Sequence, residues 1–99
     1  MTTAISISDT NDTKISVHFV RCKQFLLINK TLNTSKLVPN PYFNDKENAG
    51  VNAVKYLAAQ GVNTIIAGDF GVHVQDETHL HNIQLVIVDP EKTDIKTLL

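Results

Sequence analysis

Apolar and small polar residues alternate in Ala4-Ile5-Ser6-Ile7-Ser8, and the turn-forming cluster Asp9-Thr10-Asn11-Asp12 follows at once. That pattern predicts a first strand. Phe25-Leu26-Leu27-Ile28 is a continuous apolar run between polar flanks, short enough to prefer a strand over a helix. A third strand is expected over Thr34–Val38, paired with the second as an antiparallel hairpin, because Pro39-Asn40-Pro41 forbids further ladder bonds. From Ala49 the period becomes helical. Val51, Val54, Leu57 and Ala58 share one face, Asn52, Lys55 and Gln60 avoid it, and Gly61 supplies the stop. Val62–Ala67 then reads as a buried central strand, and Gly68-Asp69-Phe70-Gly71 as a tight exit. A weakly patterned helix over Val72–His81 and a strand over Leu85–Val88, ended by Asp89-Pro90, complete the main elements. Thr93–Leu99 adds a last helical turn or two. The order β-β-β-α-β-α-β, with right-handed crossovers in its second half, implies an α/β fold in which helices pack against a mixed sheet.

Ninety-nine residues with 42% hydrophobic and 19% charged content suit one compact domain over 1–99, with room for one core. Such a chain buries roughly 60–70% of its unfolded surface, so any site is a surface cleft. Nine basic residues against ten acidic ones leave a net charge of −1, and the basic residues stand singly. Without a polybasic stripe, nucleic acid is not an expected partner. No apolar run approaches the about 18 residues of a membrane helix, so no membrane association is expected. The segment Met1–Thr10 has neither a cationic start nor an apolar stretch of signal-peptide length, and one Cys makes no internal disulfide. The expected location is the cytoplasm.

The densest chemistry lies in His18-Phe19-Val20-Arg21-Cys22. In an extended segment, residues i and i+4 point to the same side, so the imidazole and the thiol would face one ligand, with Arg21 favouring the thiolate. Thiolate and neutral imidazole select soft and borderline metals, iron–sulfur species included. Two ligands fall short of the four of a closed zinc site, which leaves an open, exchangeable one. The alternative is that Cys22 is a small buried hydrophobe and His18 a surface loop residue. A second cluster holds His73, His79 and His81. On a helix the last two diverge by roughly 200° and do not easily share an ion, whereas in an extended or frayed segment they could; the alternative is solvated polar residues on a poorly formed helix. His73, just past Gly71 at a helix start, would be held neutral by the dipole, and the same turn could take an anion on its amides. Close packing explains Gly68 and Gly71 equally well. Asp9, Asp69 and Asp89 follow predicted strands, and Glu47 precedes the first helix, a layout open to Mg²⁺-dependent phosphodiester cleavage or to ordinary turn and cap roles.

At these residues the chain resembles the dinitrogenase iron–molybdenum cofactor biosynthesis family, the small domains related to nitrogenase accessory proteins of the NifX and NifB C-terminal type. The resemblance is carried by His18-Phe19-Val20-Arg21-Cys22, Asn40-Pro41, Ala49-Gly50, and Leu57-Ala58-Ala59-Gln60-Gly61-Val62 running into Ile66-Ala67-Gly68-Asp69-Phe70-Gly71. It implies a ribonuclease H-like α/β domain whose mixed five-stranded sheet has strand two antiparallel. It further implies a non-catalytic carrier or assembly accessory for an iron–sulfur or molybdenum-containing cluster. Carried over by position, Cys22 and His18 would ligate the metal, His73 could add a ligand, and Arg21, Gly68 and Gly71 would line the cluster site. The expected partners are cluster donor or acceptor proteins, and a homodimer sharing one cluster would double the ligands. Val20 stands at the family's glycine position, which motivates an alternative: an interaction or regulatory module of the same fold without metal.

Overall fold

The structure is a computed structural model that describes residues 2–8 and 14–98. Its elements run β1 (Thr2–Ile7), β2 (Gln24–Asn29), β3 (Thr34–Pro39), α1 (Ala49–Ala59), β4 (Val62–Ala67), α2 (Val72–Leu80) and β5 (Gln84–Ile87), followed by a 3₁₀ turn over Ile95–Leu98. The five strands form one open sheet in the order β3-β2-β1-β4-β5. β2 is antiparallel to both β1 and β3, whereas β1, β4 and β5 run parallel.

Register sorts the side chains into two faces. Ala4 pairs with Leu27 and Ile65, and Ile65 with Leu85, so this row points to one side. There it joins Phe25, Val38 and the buried stripe Ala53, Val54 and Leu57 of α1, with Val74 of α2. The next row, Ile5, Leu26, Ile66 and Val86, points the other way. It packs with Ile7, Ile28, Ile15 and Ile95. Both helices thus belong to one face, and the opposite face is closed by chain without regular helix around Ile15 and by the 3₁₀ turn. Because β1 and β4 are covered on both sides, Ile5, Ile65 and Ala67 are fully buried, the condition under which a parallel strand reads as unbroken apolar sequence.

Local chemistry fixes the ends of α1. Gly61 stands at φ +82°, the left-handed conformation that closes helices, and its N–H donates to Ala58 O at 3.0 Å. The expected stop is the observed one. At the opposite end Asn48 takes φ 57° and its side chain makes no capping hydrogen bond. α2 likewise begins at Gly71, in extended conformation, without a side-chain cap. It ends at Leu80, so His81 is its C-cap, one residue short of the expected span. The N-termini of α1 and α2 open at the C-terminal ends of the parallel strands, the usual position for sites in open α/β sheets. Among the described residues, no helix is long and apolar enough to cross a membrane.

Candidate functional site

The segment between β1 and β2 corrects the extended geometry expected for His18–Cys22. Residues 19–21 form a turn. Phe19 anchors it, with its ring 5.5 Å from Phe25 and 5.4 Å from Phe70, centroid to centroid. Cys22 follows Phe19 by three residues and turns inward with it: its side chain is 1% exposed, and its thiol donates to Phe19 O at 3.2 Å. His18 points the opposite way, its side chain two-thirds exposed and its Nδ1 3.7 Å from Asp69 Oδ2. The imidazole and the thiol therefore do not face one ligand. The arrangement is the alternative reading of that segment, a buried Cys22 and a surface His18.

What the turn does present is Val20 and Arg21. They line a cleft of about 230 Å³ together with Lys46, the first residues of α1 (Asn48 to Val51) and those of α2 (Gly71 to Val74). The first intrahelical hydrogen bonds are Asn52 N to Asn48 O at 2.9 Å and Gln75 N to Gly71 O at 3.2 Å. The amides ahead of them have no acceptor within their helices. Neither helix has a side-chain cap, and neither carries an acidic residue in its first turn. A side-chain cap and an acidic first turn are the features that ordinarily satisfy and neutralise a helix start. Here two positive dipole ends meet one depression, bordered by Arg21, Lys46 and His73 and floored by valines. Such a surface attracts anions, and its apolar floor suits an anion with a soft, weakly hydrated surface.

Backbone proximity separates the two glycines of the exit turn. A Cβ on Gly68 would lie 2.8 Å from Val17 O and 2.7 Å from Pro90 Cγ, so Gly68 is there to let chains pass. Gly68 N also donates to Ser16 O at 3.1 Å, and Phe19 N to Asp69 O at 3.3 Å, which stitches this loop to the segment leading into the turn. Gly71 has open space around it and lines the cleft. Gly50 belongs to the packing class, since its Cβ would meet Val74 Cγ2 at 2.5 Å and Val20 Cγ2 at 3.0 Å.

Of the residues expected at a site, Arg21, Gly71 and His73 are brought together, whereas Cys22, His18 and Gly68 lie outside the lining. Sequence reasoning missed Lys46, Asn48, Gly50 and the valines. The available signal was the pair of helix starts, Ala49-Gly50-Val51 and Val72-His73-Val74, with no acidic residue in either. On α2, His81 Nε2 lies 2.9 Å from Glu77 Oε2 as an i,i+4 pair, and His79 is exposed. Asp89 Oδ1 accepts from Glu91 N at 3.0 Å as a turn residue, and Asp9 lies outside the described residues. Among the described residues, no three of His, Cys, Asp and Glu gather into a group that could hold a metal ion.

A family model described as dinitrogenase iron–molybdenum cofactor matches residues 1–99. The chain is similar in fold to the apo form of the orange protein from Desulfovibrio gigas, with a TM-score of 0.86 at 18% identity over 98% of this chain and 82% of that one. A Thermotoga protein described as a candidate NifB protein superimposes with a TM-score of 0.73 at 20% identity, over 89% of this chain and 76% of the other. Among curated proteins none matches the sequence.

Proposed function

Because the chain belongs to the dinitrogenase iron–molybdenum cofactor family, we propose that it binds an anionic metal–sulfur species as cargo in the cleft between the two helix N-termini. It then acts as a carrier or assembly accessory, not as a catalyst. One observation carries this reading: two uncapped helix starts converge on a single cleft edged by Arg21, Lys46 and His73. Iron–molybdenum precursors and thiometallates are anions with polarisable sulfur surfaces, the chemistry that backbone amides, cations and a valine floor accommodate together. The strand order, with β2 reversed, supports placing the fold in the ribonuclease H-like class.

The donor set fits cargo held by charge and hydrogen bonds more closely than cargo ligated by the protein. Cys22 and His18, the ligands implied by the family motif, lie on opposite sides of the turn, and ligation by both requires that turn to open. A site without protein–metal bonds suits transfer, since release to a donor or acceptor protein breaks no coordination. A homodimer would bring two such clefts to one assembly.

Anaerobic titration with tetrathiomolybdate, or reconstitution with iron, sulfide and molybdate, tests the proposal. Stoichiometric uptake with a perturbed visible charge-transfer band is expected, weakening as salt rises and on Lys46→Glu substitution. Absence of uptake by the wild-type protein overturns it and favours the metal-free interaction module. Cys22→Ala separates the modes of holding: uptake persists if the cleft holds the cargo and is lost if the thiolate ligates it.

A further inference from the structure

We infer that Asn40 is the positioning residue of this cleft: its buried side chain fixes the turn that presents Val20 and Arg21 and, through Arg21, the segment that presents Lys46 and Asn48. Asn40 is 2% exposed. A buried amide is costly unless its N–H groups and its oxygen find partners, and here each of them does. Nδ2 donates to Cys22 O at 2.8 Å and to Val20 O at 3.3 Å, and Oδ1 accepts from Tyr42 N at 3.1 Å. The backbone N–H of Asn40 is taken by Lys23 O at 2.8 Å.

The placement follows from the neighbouring residues. Pro39 and Pro41 have no N–H, so within Pro39-Asn40-Pro41 only Asn40 can donate toward the turn. The turn's carbonyls at Val20 and Cys22 point inward, where no strand ladder reaches them, and buried carbonyls need donors. One amide side chain supplies both. On the outer side of the same turn, the Nη1 of Arg21 donates to Phe43 O at 3.0 Å and to Asp45 O at 2.8 Å. Lys23 Nζ sits 5.7 Å from the centre of the Phe43 ring. The turn is thus held from inside by Asn40 and grips the segment leading to α1 from outside by Arg21. Both non-helical walls of the cleft depend on one buried amide.

Asn40→Asp tests this, because it keeps the volume and the acceptor for Tyr42 N but sets an oxygen against two carbonyls. Cys22 is the single thiol of the chain, so its S–H infrared stretch is one band; Asn40 Nδ2 also lies 4.0 Å from Cys22 Sγ, so the band reports that contact together with the turn, and the backbone amides report the turn itself. In Asn40→Asp that band is expected to shift, with the amide resonances of residues 20–22 and 43–48, while the methyl signals of Leu57 and Ile65 stay in place. Affinity for tetrathiotungstate is expected to fall at least about tenfold. Unmoved turn signals in a folded Asn40→Asp protein overturn the inference. Arg21→Ala, on the exposed side, tests the second link without threatening the core: amides 43–48 are expected to shift while the S–H band stays. Unmoved amides at 43–48 break the chain from Asn40 to the second wall and overturn the inference in that form. Only the affinity arm rests on the proposed cargo. If wild-type protein ignores tetrathiotungstate, the cargo reading fails, and the spectroscopic arms still decide the role of Asn40.

Discussion

Gly68 and Gly71 flank the same short turn, yet substitution by alanine should separate them by about 1–3 kcal/mol. At Gly68 the new methyl would stand 2.7 Å from Pro90 Cγ, 2.8 Å from Val17 O and 3.0 Å from Val17 Cα. Two of those three atoms are backbone and cannot rotate away. Displacing Val17 also strains the Gly68 N–H to Ser16 O bond of 3.1 Å. Overpacking costs about 1–3 kcal/mol and a weakened hydrogen bond about 1, whereas the reduced freedom of the unfolded chain returns about 0.4–1. The net loss is about 1–3.5 kcal/mol, which for a domain of this length lowers Tm by roughly 5–25 °C. At Gly71 nothing lies within 4 Å of the methyl, and φ −73° with ψ 163° is open to any residue. The same unfolded-state gain is offset there by alanine's poorer capping, so the change stays within about 0.5 kcal/mol. Urea denaturation followed by circular dichroism measures both, with an unchanged m-value as the check that only stability moved. Equal midpoints for the two variants would refute the division of the turn into a packing glycine and a cleft glycine.

Three further outcomes follow from the same geometry. Gly71→Ser supplies the cap that α2 lacks, so stability should rise by a few tenths of a kcal/mol while tetrathiomolybdate affinity falls, because the serine oxygen occupies an amide that faces the cleft; unchanged affinity in calorimetric titration would count against amide involvement. Leu57→Ala, at a fully buried α1 position, should cost about 2–5 kcal/mol in urea unfolding. Cys22 should react with a chromogenic disulfide reagent only as fast as the protein opens, with full reaction on adding denaturant; stoichiometric reaction of the native protein on mixing would contradict its burial.

The fold was legible where one residue pattern has one reading. Val62–Ala67 carries its own bounds, because a strand covered on both faces admits no polar interruption longer than Asn63-Thr64, and Gly61 and Gly68 mark its ends. The helix from Ala49 to Gly61 combined a 3.6-residue period with a left-handed terminator. Strands bounded by partners rather than by their own residues came out shifted. Alternation places β1 at Ala4–Ser8, whereas it lies at Thr2–Ile7, because Thr2 and Thr3 pair with Asn29 and Ile28 across the sheet, a register that alternation alone does not reveal. The apolar run places β5 at Leu85–Val88, whereas it lies at Gln84–Ile87, since Thr64 pairs with Gln84.

The site was harder to read because its central segment carries two periods at once. Spacing of four between His18 and Cys22 puts both on one side of an extended chain, whereas spacing of three links Phe19, Cys22 and Phe25 and puts all three inside. Burial decides between them. A phenylalanine and a thiol gain far more from leaving water than a histidine loses by remaining in it, and Phe19 finds Phe25 and Phe70 waiting in the core. The chain therefore bends at 19–21, which strands the carbonyls of Val20 and Cys22 unless something donates to them. Asn40, 18 residues beyond Cys22, does so. That dependence joins His18-Phe19-Val20-Arg21-Cys22 and Asn40-Pro41 into one structure: the first segment builds a wall of the cleft, and the second holds it in place. On this logic the thiol is the inward half of a turn whose outward half, Arg21, lines the cleft.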